Sequence, residues 1–272
     1  MSWKMLALDL DGTTLNSAEK ISEPNLRAIR MASRSGVKII VTTGRSYSSA
    51  LRFIQQLDTG DPSITYNGAL IRNGLSILRH LTIDNRTVQD TLTLLKKLGQ
   101  PPVVYTSGEK RYLDEPERQI DGFYQFSKGS EIENHEVEDL LALEWEEVIR
   151  ISVFTDERTM KMLDRVLLEK MGNTMKTAQT YFPEWNFWIL EVLNPLCSKT
   201  SGLQFLCDHY GIDRNDVIAV GDNRNDTDML DWAGLGVAMK NSLPDVVQYA
   251  DHVTTRDNDE HGVAEVIDTF IL

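Results

Sequence analysis

The sequence predicts an α/β fold: a doubly wound, Rossmann-like parallel sheet interrupted by an inserted α+β domain. Short, wholly apolar strands alternate with amphipathic helices at both ends of the chain, the pattern that covers both faces of a parallel sheet. Between those ends the strands are more scattered and the aromatic residues gather, Trp145, Trp185 and Trp188 among them. At 272 residues, 41% apolar and 25% charged, the chain has enough material for two modest domains, each with a core.

The first buried strand is Met5-Leu6-Ala7-Leu8, which stops at Asp9. A helix from about Glu23 to Ser35 sets Leu26, Ile29 and Ala32 on one face and ends at Gly36. Val37 to Val41 is too apolar for a solvent-facing edge, and it runs into Thr42-Thr43-Gly44-Arg45 and a helix over Ser46–Gln56. A short strand from Ser63 to Tyr66 precedes Asn67-Gly68, a strong hairpin-turn signal. Residues 1–82 and 191–272 are read as one core domain and 83–190 as the insert, with linkers near Thr82–Asp84 and Glu191–Asn194. Within the insert, strands are expected at Val103–Tyr105, Ile149–Phe154, Thr174–Ala178 and Phe187–Leu190. Helices are expected near Arg86–Leu98, Glu115–Phe126 and Glu157–Lys170, and the acidic run Glu131–Glu147 reads as a solvated helix face. The core pattern then resumes with a helix over Lys199–Tyr210 closed by Gly211, and a strand Val217–Val220 ending at Gly221-Asp222. A helix near Asp226–Trp232, a strand at Leu235–Ala238, a helix from Pro244 and a last helix from Gly262 complete the chain.

Charge and cysteine content narrow the function. Acidic residues outnumber basic ones by 41 to 28, a net charge of −13, which argues against a general nucleic-acid binder. A small phosphate ester stays open, because one local pocket can be cationic under an acidic surface. Two cysteines, Cys197 and Cys207, cannot make a disulfide scaffold and are expected as reduced, buried thiols. No apolar run approaches a membrane span and no signal-peptide layout precedes Met5, so a soluble, cytoplasmic protein is expected.

The chemistry gathers where the strands end. Asp9-Leu10-Asp11-Gly12-Thr13 puts two carboxylates at the C-terminal end of a strand, where open α/β sheets bind ligands. Carboxylates at close quarters call for a cation, and hard oxygen donors beside phosphate suit Mg²⁺. Asp9 to Gly12 alone also reads as a plain polar turn. Gly221-Asp222-Asn223-Arg224-Asn225-Asp226 follows a second buried strand. Asp222 is placed to enter the same crevice as a further metal carboxylate, with Asn225 and Asp226 in the next turn to orient ligands or bond phosphate. An N-cap cluster is its other reading. Thr43-Gly44 offers a hydroxyl and an exposed backbone N–H before a helix, a seat for phosphate. Lys199 opens a helix, where an ammonium opposes the dipole, so its charge has another use or is simply solvated. The phosphate-loop, dinucleotide and nucleophile-elbow patterns are missing, and His80, His135, His209, His252 and His261 show no metal-ligand spacing.

With these motifs in order, the chain resembles the haloacid dehalogenase superfamily, and within it the Cof-type phosphatases with a large α/β cap. Asn67-Gly68-Ala69, Ala233 to Met239 and His261-Gly262-Val263-Ala264 add to the likeness, which covers both ends of the chain. The resemblance implies a core of that family with residues 83–190 as its cap. It implies Asp9 as the nucleophile that takes the phosphoryl group, and Asp11 as the acid that protonates the leaving oxygen and then the base that deprotonates water. Mg²⁺ would be held by Asp9, the Asp11 carbonyl and Asp222, with Asp226 behind them. Thr43, the Gly44 and Leu10 amides, Lys199 and Asn225 would hold the phosphoryl oxygens. For that chemistry Asp11 should be protonated while Asp9 is ionised. Two positions depart from the family pattern: Thr200-Ser201 follow the motif lysine before Gly202, and Lys240-Asn241-Ser242 replaces Gly-Asn-Ala, with Lys240 expected to face solvent. The expected function is Mg²⁺-dependent hydrolysis of a small phosphorylated metabolite. A phosphomutase and a non-catalytic phosphate sensor on the same fold stay open. Tyr105, Arg111, Tyr181 and Trp185 are cap candidates for the leaving group with no pattern to select among them.

Overall fold

The computed structural model describes residues 3–123, 132–183 and 185–272. Its internal contacts divide the chain into two compact units, one of Met1–Arg45, Ala50–His80 and Ser198–Leu272, the other of Ser46–Ser49 and Leu81–Cys197. Strands are numbered along the chain, β1–β5 before the insert, β6–β11 in it and β12–β14 after it.

The first unit is built on an eight-stranded sheet among the described residues. Its strands are β1 (Met5–Leu8), β2 (Lys38–Thr42), β3 (Ser63–Thr65), β4 (Leu70–Asn73), β5 (Ser76–His80), β12 (Val217–Gly221), β13 (Leu235–Ala238) and β14 (His252–Val253), in the order β14-β13-β12-β1-β2-β3-β4-β5. Pairings from β14 through β3 are parallel, and β3–β4–β5 form an antiparallel edge. Because side chains alternate along a strand, the central strands feed two cores. Leu6, Leu8, Ile39, Val41, Ile218 and Val220 pack with Leu26, Ile29, Phe53, Val263 and Ile267 on one face. Met5, Ala7, Ile40, Val217 and Ala219 pack with Leu203, Leu206 and Met229 on the other. Helices Glu23–Arg34, Tyr47–Leu57 and Gly262–Phe270 therefore cover one face, and Lys199–Tyr210 and Thr227–Trp232 the other. This is the doubly wound arrangement the sequence predicts, and it turns the C-terminal ends of β1, β2 and β12 to one edge.

One expectation fails here. No α-helix forms from Pro244. That segment makes successive three-residue-back bonds, Val246 N to Leu243 O and Tyr249 N to Val246 O, while Leu243 N and Asp251 N donate to Asp222 O and Gly236 O. Its backbone is committed to the sheet ends at both sides, so only a short turn at Val247–Tyr249 is left.

The second unit has a six-stranded sheet among the described residues, in the order β10-β11-β9-β6-β7-β8. These are β6 (Val103–Thr106), β7 (Lys110–Leu113), β8 (Glu133–Glu136), β9 (Val148–Thr155), β10 (Lys176–Phe182) and β11 (Phe187–Leu193). Helices Asn85–Lys97 and Glu157–Met171 start at Asp84 and Asp156, whose carboxylates accept from the N–H three residues on. The acidic stretch is not a helix face: it supplies β8 and a short turn at Leu140–Ala142, with Glu131 outside the described residues. The helix expected over Glu115–Phe126 is interrupted: a turn at Pro116–Arg118 comes first, residues 121–123 are helical again, and its last three positions lie outside the described residues. Cys197 and Cys207 are both buried, with no disulfide between them. No helix among the described residues is long and apolar enough to cross a membrane.

Candidate active site

Strand register assembles the site. Asp9 N donates to Val220 O at 3.1 Å, so the end of β1 lies beside the end of β12, where Asp222 follows. Past an extended Asp9 the chain turns over Leu10–Thr14, with Asp11 extended within the turn and Gly12 at φ 71°, and Leu15 N closes the turn on Leu10 O at 2.8 Å. A β-carbon at Gly12 would lie 2.3 Å from an Asp222 carboxylate oxygen, so only glycine lets the two motifs close on each other. Thr13 completes the contact by donating to Asp222 Oδ1 at 2.7 Å.

Lys199, at the start of helix Lys199–Tyr210, is only 1% exposed and places its ammonium between two carboxylates. Nζ donates to Asp9 Oδ1 at 2.6 Å and to Asp226 Oδ1 at 2.5 Å. The second Asp226 oxygen accepts from the N–H groups of Asp222 and Asn223 at 3.1 and 2.9 Å. Asp226 is thus occupied on both oxygens and works as a brace. Asp9, Asp222 and Asp226 bring carboxylate oxygens within 4.8 Å of one another. Burial pushes Asp9 up to about 8, against the pull of Lys199 and with help from Asp226 and Asp11. Burial likewise raises Asp222 well above the carboxylate range, with the charges of Asp9 and Asp226 adding to it. Burial disfavours the Lys199 ammonium, but Asp226 and Asp9 outweigh it and keep the lysine charged. Three buried carboxylates facing one ammonium form a donor set that fits a hard divalent cation, and Asp9 and Asp222 are the two not fully spent on protein partners.

Arg45, two residues past Thr43, governs Asp11. Its Nε donates to Asp11 Oδ1 and Oδ2 at 3.1 and 2.9 Å, and Nη2 to Oδ1 at 2.5 Å. Nη2 also reaches Glu19 at 3.3 Å, and Glu19 accepts from Arg52 at 3.0 Å. Burial alone would raise Asp11, yet the Arg45 charge and its hydrogen bonds hold the carboxyl below its ordinary value. Without a cation the two aspartates are pushed in opposite directions, Asp9 up by burial and Asp11 down by Arg45; the expected order, Asp11 protonated and Asp9 ionised, belongs to Asp9 with a metal on it.

The family model for haloacid dehalogenase-like hydrolases matches residues 6–267. The chain belongs to that family. YxeH of Bacillus subtilis (strain 168) is 30% identical over 281 residues, covering 99% of each chain. YitU of the same organism, a 5-amino-6-(5-phospho-D-ribitylamino)uracil phosphatase, is 28% identical over 270 residues, covering 98% of this chain and 97% of its own. Among solved structures, the HAD subclass IIB sugar phosphatase BT4131 superimposes with a TM-score of 0.83 at 26% identity over 98% of each chain.

In this haloacid dehalogenase-like hydrolase, Lys199 joins Asp9 to Asp226, Asp226 accepts from the Asp222 N–H, and Asp11 pairs with Arg45. Thr43 directly follows β2, buried, its hydroxyl accepting from Arg45 N at 3.1 Å. Asn225 is half-buried and tied to Asn67 by a 2.9 Å hydrogen bond. Leu10 is buried and Gly44 packs under the Asn67 side chain. Lys240 pairs with Glu260 at the surface, at 2.8 Å. Arg45 and Asn67 were not read as site residues from the sequence. The Thr-Gly-Arg motif contained the first, but its partner lies 34 positions away.

Proposed function

We propose that this hydrolase is a Mg²⁺-dependent phosphatase acting on a small organophosphate, such as a sugar phosphate, a nucleotide or a cofactor phosphate. The observation that carries the reading is Lys199, a buried ammonium held against Asp9 and Asp226 beside a third carboxylate. Such an arrangement neutralises an anionic nucleophile and the phosphoryl group it approaches, which is most of what phosphoryl transfer requires. Relatives that act on phosphorylated small molecules, YitU and BT4131, support the substrate class.

Asp9, Asp222 and the main-chain carbonyl of Asp11 would hold Mg²⁺, which when bound offsets charge on the nucleophile and the phosphoryl oxygens. Thr43, the Leu10 and Gly44 amides, Lys199 and Asn225 would hold those oxygens. In the first displacement an Asp9 oxygen bonds to phosphorus, the ester P–O bond breaks, and a proton from Asp11 goes to the leaving alcohol. Water then attacks the aspartyl phosphate as Asp11 takes its proton, the Asp9–phosphorus bond breaks, and inorganic phosphate leaves. A carboxylate held bidentately by arginine accepts hydrogen bonds and has no proton to give, so Asp11 acts as an acid only after its contact with Arg45 opens.

The test is phosphate release, with Mg²⁺, from a panel of phosphorylated sugars, nucleotides and cofactors, with Asp9→Asn as the blank. Release that disappears in the variant is the expected result. Equal release from both proteins would overturn the reading. Isomerised product without free phosphate would point to a mutase.

A further inference from the structure

Residues 66–68 carry an unusual backbone. Tyr66, Asn67 and Gly68 all have positive φ, at 50°, 51° and 102°. For a bulky residue such as tyrosine this is costly, and such outliers persist where the surroundings over-determine them. Here three parts of the site converge on the segment. Tyr66 N donates to Arg45 O at 2.9 Å and Asn67 N to Thr43 O at 3.1 Å, which fastens it to the loop after β2. The Asn67 side chain lies against Gly44, whose absent β-carbon would be 3.2 Å from both amide atoms. Gly68 meets the residue before Lys199: a β-carbon there would sit 2.1 Å from Ser198 O. The last contact is the informative one. Asn225 Nδ2 donates to Asn67 Oδ1 at 2.9 Å across 158 positions of sequence, and Asn67 is 2% exposed.

We infer that Asn67 is a positioning residue for phosphoryl binding, acting through Asn225. A carboxamide has a donating and an accepting end that exchange places on a half-turn, and an anion tolerates only the donor. Accepting one N–H of Asn225 at Asn67 Oδ1 fixes that choice, directs the second N–H of the same nitrogen outward, and keeps the carbonyl lone pairs off the phosphoryl group. The strained turn delivers the acceptor, and the same turn ties Thr43, Gly44 and the Lys199 helix start to it. The inference rests on the proposed role of Asn225 as a phosphoryl ligand.

The test is a double-mutant cycle on the full chain with Mg²⁺. Asn67→Gly removes the side chain yet suits φ 51° better than asparagine, so the fold is kept; Asn67→Ala would add strain to the loss. Asn67→Gly should lower kcat/KM about tenfold and weaken inhibition by vanadate by a similar factor, with Tm held. In the Asn225→Ala background the same change should do almost nothing, because the group it acts through is gone. A silent Asn67→Gly, or an equal loss with and without Asn225, overturns the inference. A silent Asn225→Ala beside an active Asn67→Gly overturns it as well, by removing the phosphoryl ligand it depends on. Failure of the phosphatase reading is seen separately, as phosphate release that survives Asp9→Asn.

Discussion

Asp9 and Asp11 stand two positions apart and receive opposite treatment, and that contrast makes predictions at the scale of single residues. Asp9→Asn should lower turnover by about three orders of magnitude or more, measured as phosphate release, because no carboxylate is left to attack phosphorus. Asp11→Asn should lose about a hundredfold or more on alkyl phosphates and less on an aryl phosphate, whose leaving group needs no proton. An equal loss on both substrates would mean Asp11 does not act as the acid. Proton linkage gives a third expectation. Folding raises Asp9 from its ordinary value to about 8, so between about pH 4 and 8 the native chain binds more protons than the unfolded one. The metal-free protein therefore loses stability at this residue as pH rises through that window. Mg²⁺ replaces the proton, so the Tm gain on adding Mg²⁺ should grow from pH 5 to 8 and shrink in Asp9→Asn. The aspartates, Thr43, Lys199 and Asn225 were legible in the sequence because each sits where an apolar strand or a helix visibly begins or ends. Arg45 and Asn67 were not, since their meaning is a partner 34 or 158 positions away. Asn67-Gly68 did read correctly as the turn between β3 and β4, but a turn signal does not tell what the turn's side chain holds.

Among the elements, those governed by local pattern were readable and those governed by neighbours were not. β1, β2, β12 and β13 are apolar runs stopped by polar residues, and the sequence shows them directly. β7 and β8 are polar strands that exist through cross-strand pairing, Arg111 opposite Tyr105 and Asn134, so no hydrophobic period marks them. The start of helix Lys199–Tyr210 is a capping box: Ser198 Oγ accepts from Ser201 N at 2.9 Å, and Ser201 Oγ from Ser198 N at 3.1 Å. Ser198→Ala should cost about 1 kcal/mol in denaturant unfolding. It should also raise KM, because the next residue is Lys199. Stability lost with KM unchanged would show that burial and its two carboxylates fix the lysine without help from the cap.

For the whole molecule, two units with separate cores predict separable unfolding. The insert carries a buried ion pair, Arg150 to Glu191 at 2.6 Å, with side chains 2% and 3% exposed, and Arg150 also lies over the Tyr105 ring. Glu191→Ala strands that charge and should destabilise the insert by about 3–5 kcal/mol. Hydrogen exchange read by mass spectrometry should then show protection lost in peptides from residues 81–197 and kept in β1, β2 and β12. Uniform loss across the chain would mean the units unfold as one. The change of strand pattern puts a division near residues 82 and 191, whereas the second unit runs over Leu81–Cys197 and takes in Ser46–Ser49, because β11 continues through Glu191 to Leu193. The insert's own sheet order was not, because it depends on pairings that cross the sequence. The placing of β1 between β2 and β12 also bears on how the protein is made. As the polypeptide leaves the ribosome, Asp9 emerges early with one neighbouring strand, and the threonine that will bind Asp222 must wait 209 residues for it. The insert can be complete before then. A nascent chain that stops short of β12 thus carries Asp9 and Lys199 without Asp222 and Asp226, and the carboxylate cluster closes only once the segment after β12 has been made.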